Sequence, residues 1–332
     1  MSSLSFSVRR DHFIESSKDR NIFLRLREVV PESINENACA VLFVHGAVVP
    51  SAIFDIPVKG VSWLEFFASK GACAFALDLR GYGQSTKPKG MDLLEKEAPM
   101  ICTHAEALCD IADAIAYIRN ERKVDQVVLV GLSWGGLLAG TFTHQSQHLI
   151  SHLILLGPIY CYKNPIWSLL TDPKDPSQLN ASIGGYRFIP KESLGTMWDY
   201  EIPFEDKSLW RDPDVYRALE EEVLQSDSDW ADRYGVKGVR SPCGVLEDVV
   251  KAYNSHYFYP AEGITVPTLI VRGDHDASSH PDDMANLFKR LGSKVKHYVQ
   301  IGNASHYALA ERRASYLMVM VHGFIKGEDT NV

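Results

Sequence analysis

Six short, nearly unbroken apolar runs constrain what this chain can fold into more than any other feature. They lie at 39–44 (Cys-Ala-Val-Leu-Phe-Val), 72–77, 126–130 (Gln-Val-Val-Leu-Val), 153–156, 265–271 and 295–301, and each ends in glycine or a turn and leads into a helical pattern. A strand with one wet face alternates apolar and polar residues; a run without alternation needs cover on both faces. Repeated strand–helix units of this kind build a mostly parallel sheet flanked by helices, an α/β architecture. Ahead of them, 5–14 and 21–30 do alternate, with Ile22, Leu24 and Leu26 against Arg25 and Arg27, as expected of an antiparallel pair. The spacing predicts helices from Thr103, where Thr103 and Glu106 form a possible capping box ahead of Leu108, Ile111, Ile115 and Ile118, and over 135–148, 282–291 and 307–326. Gly327 to Val332 reads as a frayed tail.

The strand–helix rhythm breaks between residues 159 and 262. That stretch holds four of the six tryptophans and nine of the fourteen tyrosines, so it can bury a small core of its own. Asp212-Pro213 and Ser241-Pro242 each place proline as a helix would open, ahead of 214–225 and 243–254. The expected organisation is a core of 1–158 and 263–332, with 159–262 as a mainly helical cap inserted between two core strands.

Net charge excludes some partners. At −8 the chain lacks the basic field that nucleic acid or an anionic membrane surface would need, which leaves a small-molecule substrate. The start, Met-Ser-Ser-Leu-Ser-Phe-Ser-Val-Arg-Arg, carries no apolar signal region, and no run of 18 apolar residues occurs. Six cysteines without a Cys-x-x-Cys pair read as free thiols in a reducing compartment, so a cytoplasmic location is expected.

The chemistry centres on Gly131-Leu132-Ser133-Trp134-Gly135, which follows a strand directly and opens a helix. Acyl transfer needs a serine held out on a tight turn, and the flanking glycines allow strand and helix to approach closely. Serine is a weak nucleophile at neutral pH and needs a base, itself oriented by an acid. Of twelve histidines, His306 is the one placed after the last core strand and before the final helix, at the sheet edge where Ser133 also emerges. The acid should leave the same edge. Gly273-Asp274-His275-Asp276 supplies two candidates, of which Asp276 lies farther out, with Asp274 as a turn or capping residue. The developing oxyanion needs donors. Backbone N–H groups of Ala47, in Val44-His45-Gly46-Ala47, and of Trp134 are the candidates, with His45 bracing the loop.

Together these segments resemble the α/β-hydrolase superfamily. His45-Gly46 matches its oxyanion-loop motif, and Asp78-Leu79-Arg80-Gly81-Tyr82-Gly83-Gln84-Ser85 matches its Asp-x-Arg-Gly-x-Gly-x-Ser turn. The Ser133 elbow, the Gly273–Asp276 loop and the His306 loop follow in the family order of serine, acid and histidine. The resemblance covers about 20–158 and 263–325. It implies an eight-stranded sheet, a catalytic triad of Ser133, Asp276 and His306, structural roles for Asp78 and Arg80, a cap over the site, and no organic cofactor. Asp274-His275-Asp276 with His280 and Asp282 lacks a strict ligand spacing, so no metal is expected. Serine at the elbow separates the chain from haloalkane dehalogenases and epoxide hydrolases, whose nucleophile is a carboxylate. The Gly-x-Ser-Trp-Gly elbow is similar to that of proline-iminopeptidase-type members, but their His-Gly-Gly-Pro-Gly loop is here His45-Gly46-Ala47-Val48-Val49, which counts against peptidase activity.

A serine esterase is therefore expected, cleaving a carboxylic ester or thioester of a medium-sized apolar or aromatic substrate through an acyl-enzyme. The alternatives are an aminopeptidase or amidase, a carbon–carbon bond hydrolase, and a ligand receptor on the same fold. The amidase alternative rests on the segment Asp199–Asp232, where twelve acidic and three basic residues give −9. A solvated helical face is the plain explanation of that charge. The other is a lid whose Glu201, Glu205 or Asp206 holds a substrate ammonium.

Overall fold

The computed structural model describes residues 7–32 and 38–327; residues 5, 6 and 328–332, on which a strand start and a tail were expected, lie outside them. An eight-stranded sheet runs in the order β1 (Ser7–Glu15), β2 (Phe23–Pro31), β4 (Cys73–Leu77), β3 (Ala40–Val44), β5 (Val127–Leu132), β6 (Ile150–Leu156), β9 (Thr268–Gly273), β10 (Lys296–Ile301). Strands β3 to β6, β9 and β10 pair in parallel, while β2 pairs antiparallel with both β1 and β4. This is the mostly parallel α/β sheet that the apolar runs predict, in the α/β-hydrolase arrangement that the resemblance implies.

The unbroken runs are explained by where alternate residues go. Leu42, Phe75, Leu129 and Leu155 face one layer with α2 (His104–Arg122), α3 (Trp134–Ser146) and α8 (Pro281–Arg290). Val41, Phe43, Ala74, Val130 and Val271 face the other with α1 (Trp63–Ser69) and α9 (Ala314–Lys326). Helix α2 starts on a complete capping box: Thr103 Oγ1 accepts from Glu106 N, and Glu106 accepts from Thr103 N at 2.8 Å. Such caps contribute about 1 kcal/mol.

The last helix is shorter than its pattern predicts. Residues 307–313 turn through a short 3-10 segment at Ala308–Ala310 before α9 begins at Ala314. The break is polar. Glu311 is buried and accepts from Ser305 N, Ser305 Oγ and Trp198 Nε1, which an unbroken helix would not allow it to reach.

Between β6 and β9 the chain leaves the sheet. It forms α4 (Thr196–Glu201), α5 (Pro213–Gln225), α6 (Ser228–Tyr234) and α7 (Gly244–Tyr253), with a two-stranded antiparallel ribbon of β7 (Tyr186–Pro190) and β8 (Gly238–Pro242). The proline expected to open a helix at 242 instead closes β8, where it pairs with Tyr186, and Cys243 is the N-cap of α7. Pro213 does open its helix, behind an Asp212 cap. Among the described residues, no helix is long and apolar enough to cross a membrane.

Candidate active site

The parallel strands deliver their C-terminal loops to one edge. Ala47 follows β3, Ser133 follows β5, Asp276 follows β9 and His306 follows β10. Ser133 has φ 57° and ψ −120°, a conformation L residues rarely hold, fixed between the last residue of β5 and the first turn of α3. The glycines around it are sterically required. A Cβ at Gly131 would lie 2.3 Å from the carbonyl oxygen of Gly135, and one at Gly135 would lie 2.3 Å from that of Val44. A Cβ at Gly46 would come within 2.8 Å of the Ser133 Cβ, so the loop after β3 passes directly over the serine.

His306 Nδ1 lies 2.9 Å from both carboxylate oxygens of Asp276. Asp276 Oδ1 also accepts from Ser279 N at 2.8 Å, and the side chain is buried. Asp274, the other carboxylate of this loop, accepts from Ala304 N at 3.1 Å and so stitches the acid loop to the histidine loop. It is neither a helix cap nor a partner of the imidazole. Gly157, at φ 50° after β6, leaves room for the pair: a Cβ there would lie 2.7 Å from Asp276 Oδ2 and 3.1 Å from His306 Nδ1.

Ser133 and His306 line one cavity of about 200 Å³ together with Gly46, Ala47, Glu201 and apolar side chains of the insertion. No hydrogen bond joins Ser133 Oγ to the imidazole in this arrangement, and such bonds commonly close only around substrate. Among the described residues, Ala47 N and Trp134 N donate to no backbone carbonyl or side chain; Trp134 is the first residue of α3, where amides have no intrahelical partner.

His45 is fully buried and its burial lowers its pKa, which keeps the ring neutral. Nδ1–H donates to Gly46 O at 2.7 Å and Nε2 accepts from Leu79 N at 3.2 Å, so this ring is used up bracing the loop. Asp78 likewise accepts from Ser51 N and Gln84 N and pairs with Arg25, and Arg80 pairs with the buried Asp110. Both residues therefore hold the turn after β4 and do not reach the cavity.

The carboxylates between Asp199 and Asp232 separate sharply. Glu205 and Asp206 are exposed, and Asp206 caps a short 3-10 turn. Glu220, on α5, pairs with Lys191. Glu201, at the end of α4, is 4% exposed and lines the cavity. Its Oε1 accepts from Ala277 N at 2.9 Å and its Oε2 from His306 N at 2.7 Å. The insertion thus fastens the backbone of the Asp276 and His306 loops, a tie that nothing in the run of ordinary acidic residues around 201 signals.

Burial pushes the His306 imidazole down, but the charge of Asp276, its hydrogen bond and the charge of Glu201 outweigh that and raise it to about 9. Burial raises Glu201, opposed by the His306 cation and helped by Asp276. If His306 serves as the base it must be neutral, so kcat/KM should climb about tenfold per pH unit on the acid side of that value. Glu201→Gln removes a charge that favours the imidazolium. The rising limb of its pH profile should move to lower pH by roughly half a unit to one unit. A purely structural contact would lower the whole profile without moving the limb.

A strand–serine–helix elbow, an acid loop and a histidine loop on the edge of this sheet define an α/β hydrolase by architecture. The family model described as alpha/beta hydrolase fold matches residues 40–312, and the chain belongs to that family. Epoxide hydrolase 3 of Xenopus tropicalis is 24% identical over 284 residues, covering 82% of this chain and 70% of that protein. Epoxide hydrolase 1 of Siraitia grosvenorii is 23% identical over 315 residues, covering 86% and 91%. Among solved structures, a thermophilic esterase from Thermogutta terrifontis superposes with a TM-score of 0.63 at 16% identity, over 96% of this chain and 98% of that one. The enol-lactonase from Burkholderia xenovorans LB400 gives a TM-score of 0.63 at 18% identity, over 95% and 100%.

Proposed function

We propose that this chain is a serine hydrolase that cleaves a medium-sized carboxylic ester or thioester with an apolar or aromatic portion, through an acyl-enzyme. The observation that carries this reading is Ser133, held at φ 57° at a strand end and lining the same cavity as an imidazole tied to Asp276. Ser133 Oγ attacks the acyl carbon while His306 takes its proton; Asp276 fixes the tautomer and balances the imidazolium. The oxyanion is held by the unspent amides of Ala47 and Trp134. His306 then returns the proton to the leaving alcohol or thiol, and water repeats the sequence to free the acid. Residues 159–262 act as the cap that closes the cavity and selects the substrate.

Both relatives described above carry the name epoxide hydrolase, and the chemistry of Ser133 argues against that reaction here. Opening an epoxide with a serine alkoxide would leave an alkyl ether, which has no carbonyl for water to attack, so the enzyme would stall after one event. An acyl-serine has that carbonyl and turns over.

A fluorophosphonate probe should therefore label the protein at Ser133, and chromogenic acyl esters should show turnover where styrene oxide does not. Labelling that persists in Ser133→Ala, or epoxide turnover with no ester turnover, would overturn the reading.

A further inference from the structure

Arg187 is the third chemical feature of the cavity, besides the serine–histidine pair and Glu201. It sits on β7 opposite Ser241, and it lines the cavity with Ser133 and His306. Its Nε is buried and donates to nothing, and among the described residues its guanidinium forms no ion pair. Two other arginines of the insertion are answered. Arg240, on the neighbouring strand, holds Asp227 through Nε and Nη2 and Met91 O through Nη1, and Arg211 pairs with Asp199. The insertion has carboxylates to spare, with −9 between Asp199 and Asp232, yet none turns to Arg187. The one acid in the cavity wall, Glu201, has both oxygens engaged by backbone amides and answers to the charges of His306 and Asp276.

A buried donor without an acceptor is costly, and a guanidinium among apolar walls such as Leu170, Val245, Leu246 and Val249 meets a carboxylate more strongly than it would in water. Its planar fork matches a carboxylate through two parallel hydrogen bonds. The cavity therefore offers a ligand an uncommitted cation, the opposite of the ammonium site that the acidic composition suggests. We infer that Arg187 anchors a carboxylate on the substrate, so that the natural ester is an anion: an apolar body with the scissile ester at Ser133 and a free carboxylate at Arg187. The substrate class rests on the acyl-transfer reading above; the anion site does not.

The test compares the 4-nitrophenyl half-ester of suberic acid with its methyl-capped neutral counterpart. The wild type should prefer the free acid by tenfold or more in kcat/KM. Arg187→Met should lose thirtyfold or more on the acid, mostly through KM, and change the neutral ester less than threefold, while Arg187→Lys keeps part of the preference. Equal losses on both esters would overturn the assignment, and melting curves of the two variants identify any general unfolding. Calorimetric binding of 4-phenylbutyrate and 4-phenylbutyramide decides the anion site without catalysis. A preference of at least tenfold for the acid, lost in Arg187→Met, supports it, and no preference in the wild type overturns it. If neither ester turns over while the acid still binds through Arg187, the acyl-transfer reading alone has failed.

Discussion

Replacing Ser133 by alanine should cut ester hydrolysis by on the order of 10⁴-fold or more and leave the melting temperature within about 2 °C of the parent. The asymmetry follows from what the side chain does in the fold. Among the described residues its Oγ takes part in no hydrogen bond, and alanine accepts the φ 57° backbone as well or as badly as serine does. The sheet loses nothing, while the acyl carbon loses its only covalent partner. Residual rate should remain above the uncatalysed reaction, because the amides of Ala47 and Trp134 and the apolar walls are untouched. A steady-state comparison on one chromogenic ester, with a thermal melt on the same samples, measures both halves; a variant retaining a tenth of the parent rate would remove Ser133 from the reaction.

Asp276→Asn should cost up to ~10⁴ in rate, and Asp274→Asn less than about tenfold. Asp276 meets His306 Nδ1 with both oxygens at 2.9 Å, which favours the neutral tautomer with Nε2 unprotonated and gives the cation a counter-charge. An asparagine would present an N–H to the ring as readily as an oxygen, favouring the unproductive tautomer. Asp274 only receives Ala304 N, a loop contact an amide oxygen can keep. The variant at 276 should also lower the pKa of the imidazole, because the largest stabilising charge on its cation is gone. Rates of both variants across pH 6 to 10, roughly the span from ordinary to raised imidazole titration, provide the check; the reverse ranking would assign the wrong carboxylate.

The sheet and its edge are legible in the sequence because each depends on local composition. Val127–Val130 followed by Gly-Leu-Ser-Trp-Gly states both a buried strand and a turn that only glycine permits, and the loops to Asp276 and His306 inherit their placement from the strands before them. The ribbon of β7 and β8 is a different case. Its partners Tyr186 and Pro242 are separated by the whole of α4, α5 and α6, and each strand is only five residues long with a proline at its end. Such non-local pairing leaves no periodic trace, and Ser241-Pro242 reads locally as a helix start. The same holds for Glu201 and Arg187. One is an acid among acids and the other a cation before an aromatic, and each differs from its neighbours only in what the tertiary structure sets beside it.

The attachment of Glu201 limits how far this protein can be remodelled. A cover that merely shaded the cavity could be exchanged for another, as an interchangeable part fitted between β6 and β9. Here α4 carries two carboxylate contacts into the loops of Ala277 and His306, and Trp198 carries a third to Glu311. A transplanted cover lacking those contacts would leave the amides of Ala277 and His306 unanswered and Glu311 without one of its three donors. His306 would lose its alignment even though Ser133 and Asp276 had been kept. The insertion and this edge of the sheet therefore have to be exchanged together, and chimaeras in this region have to be cut on the far side of both.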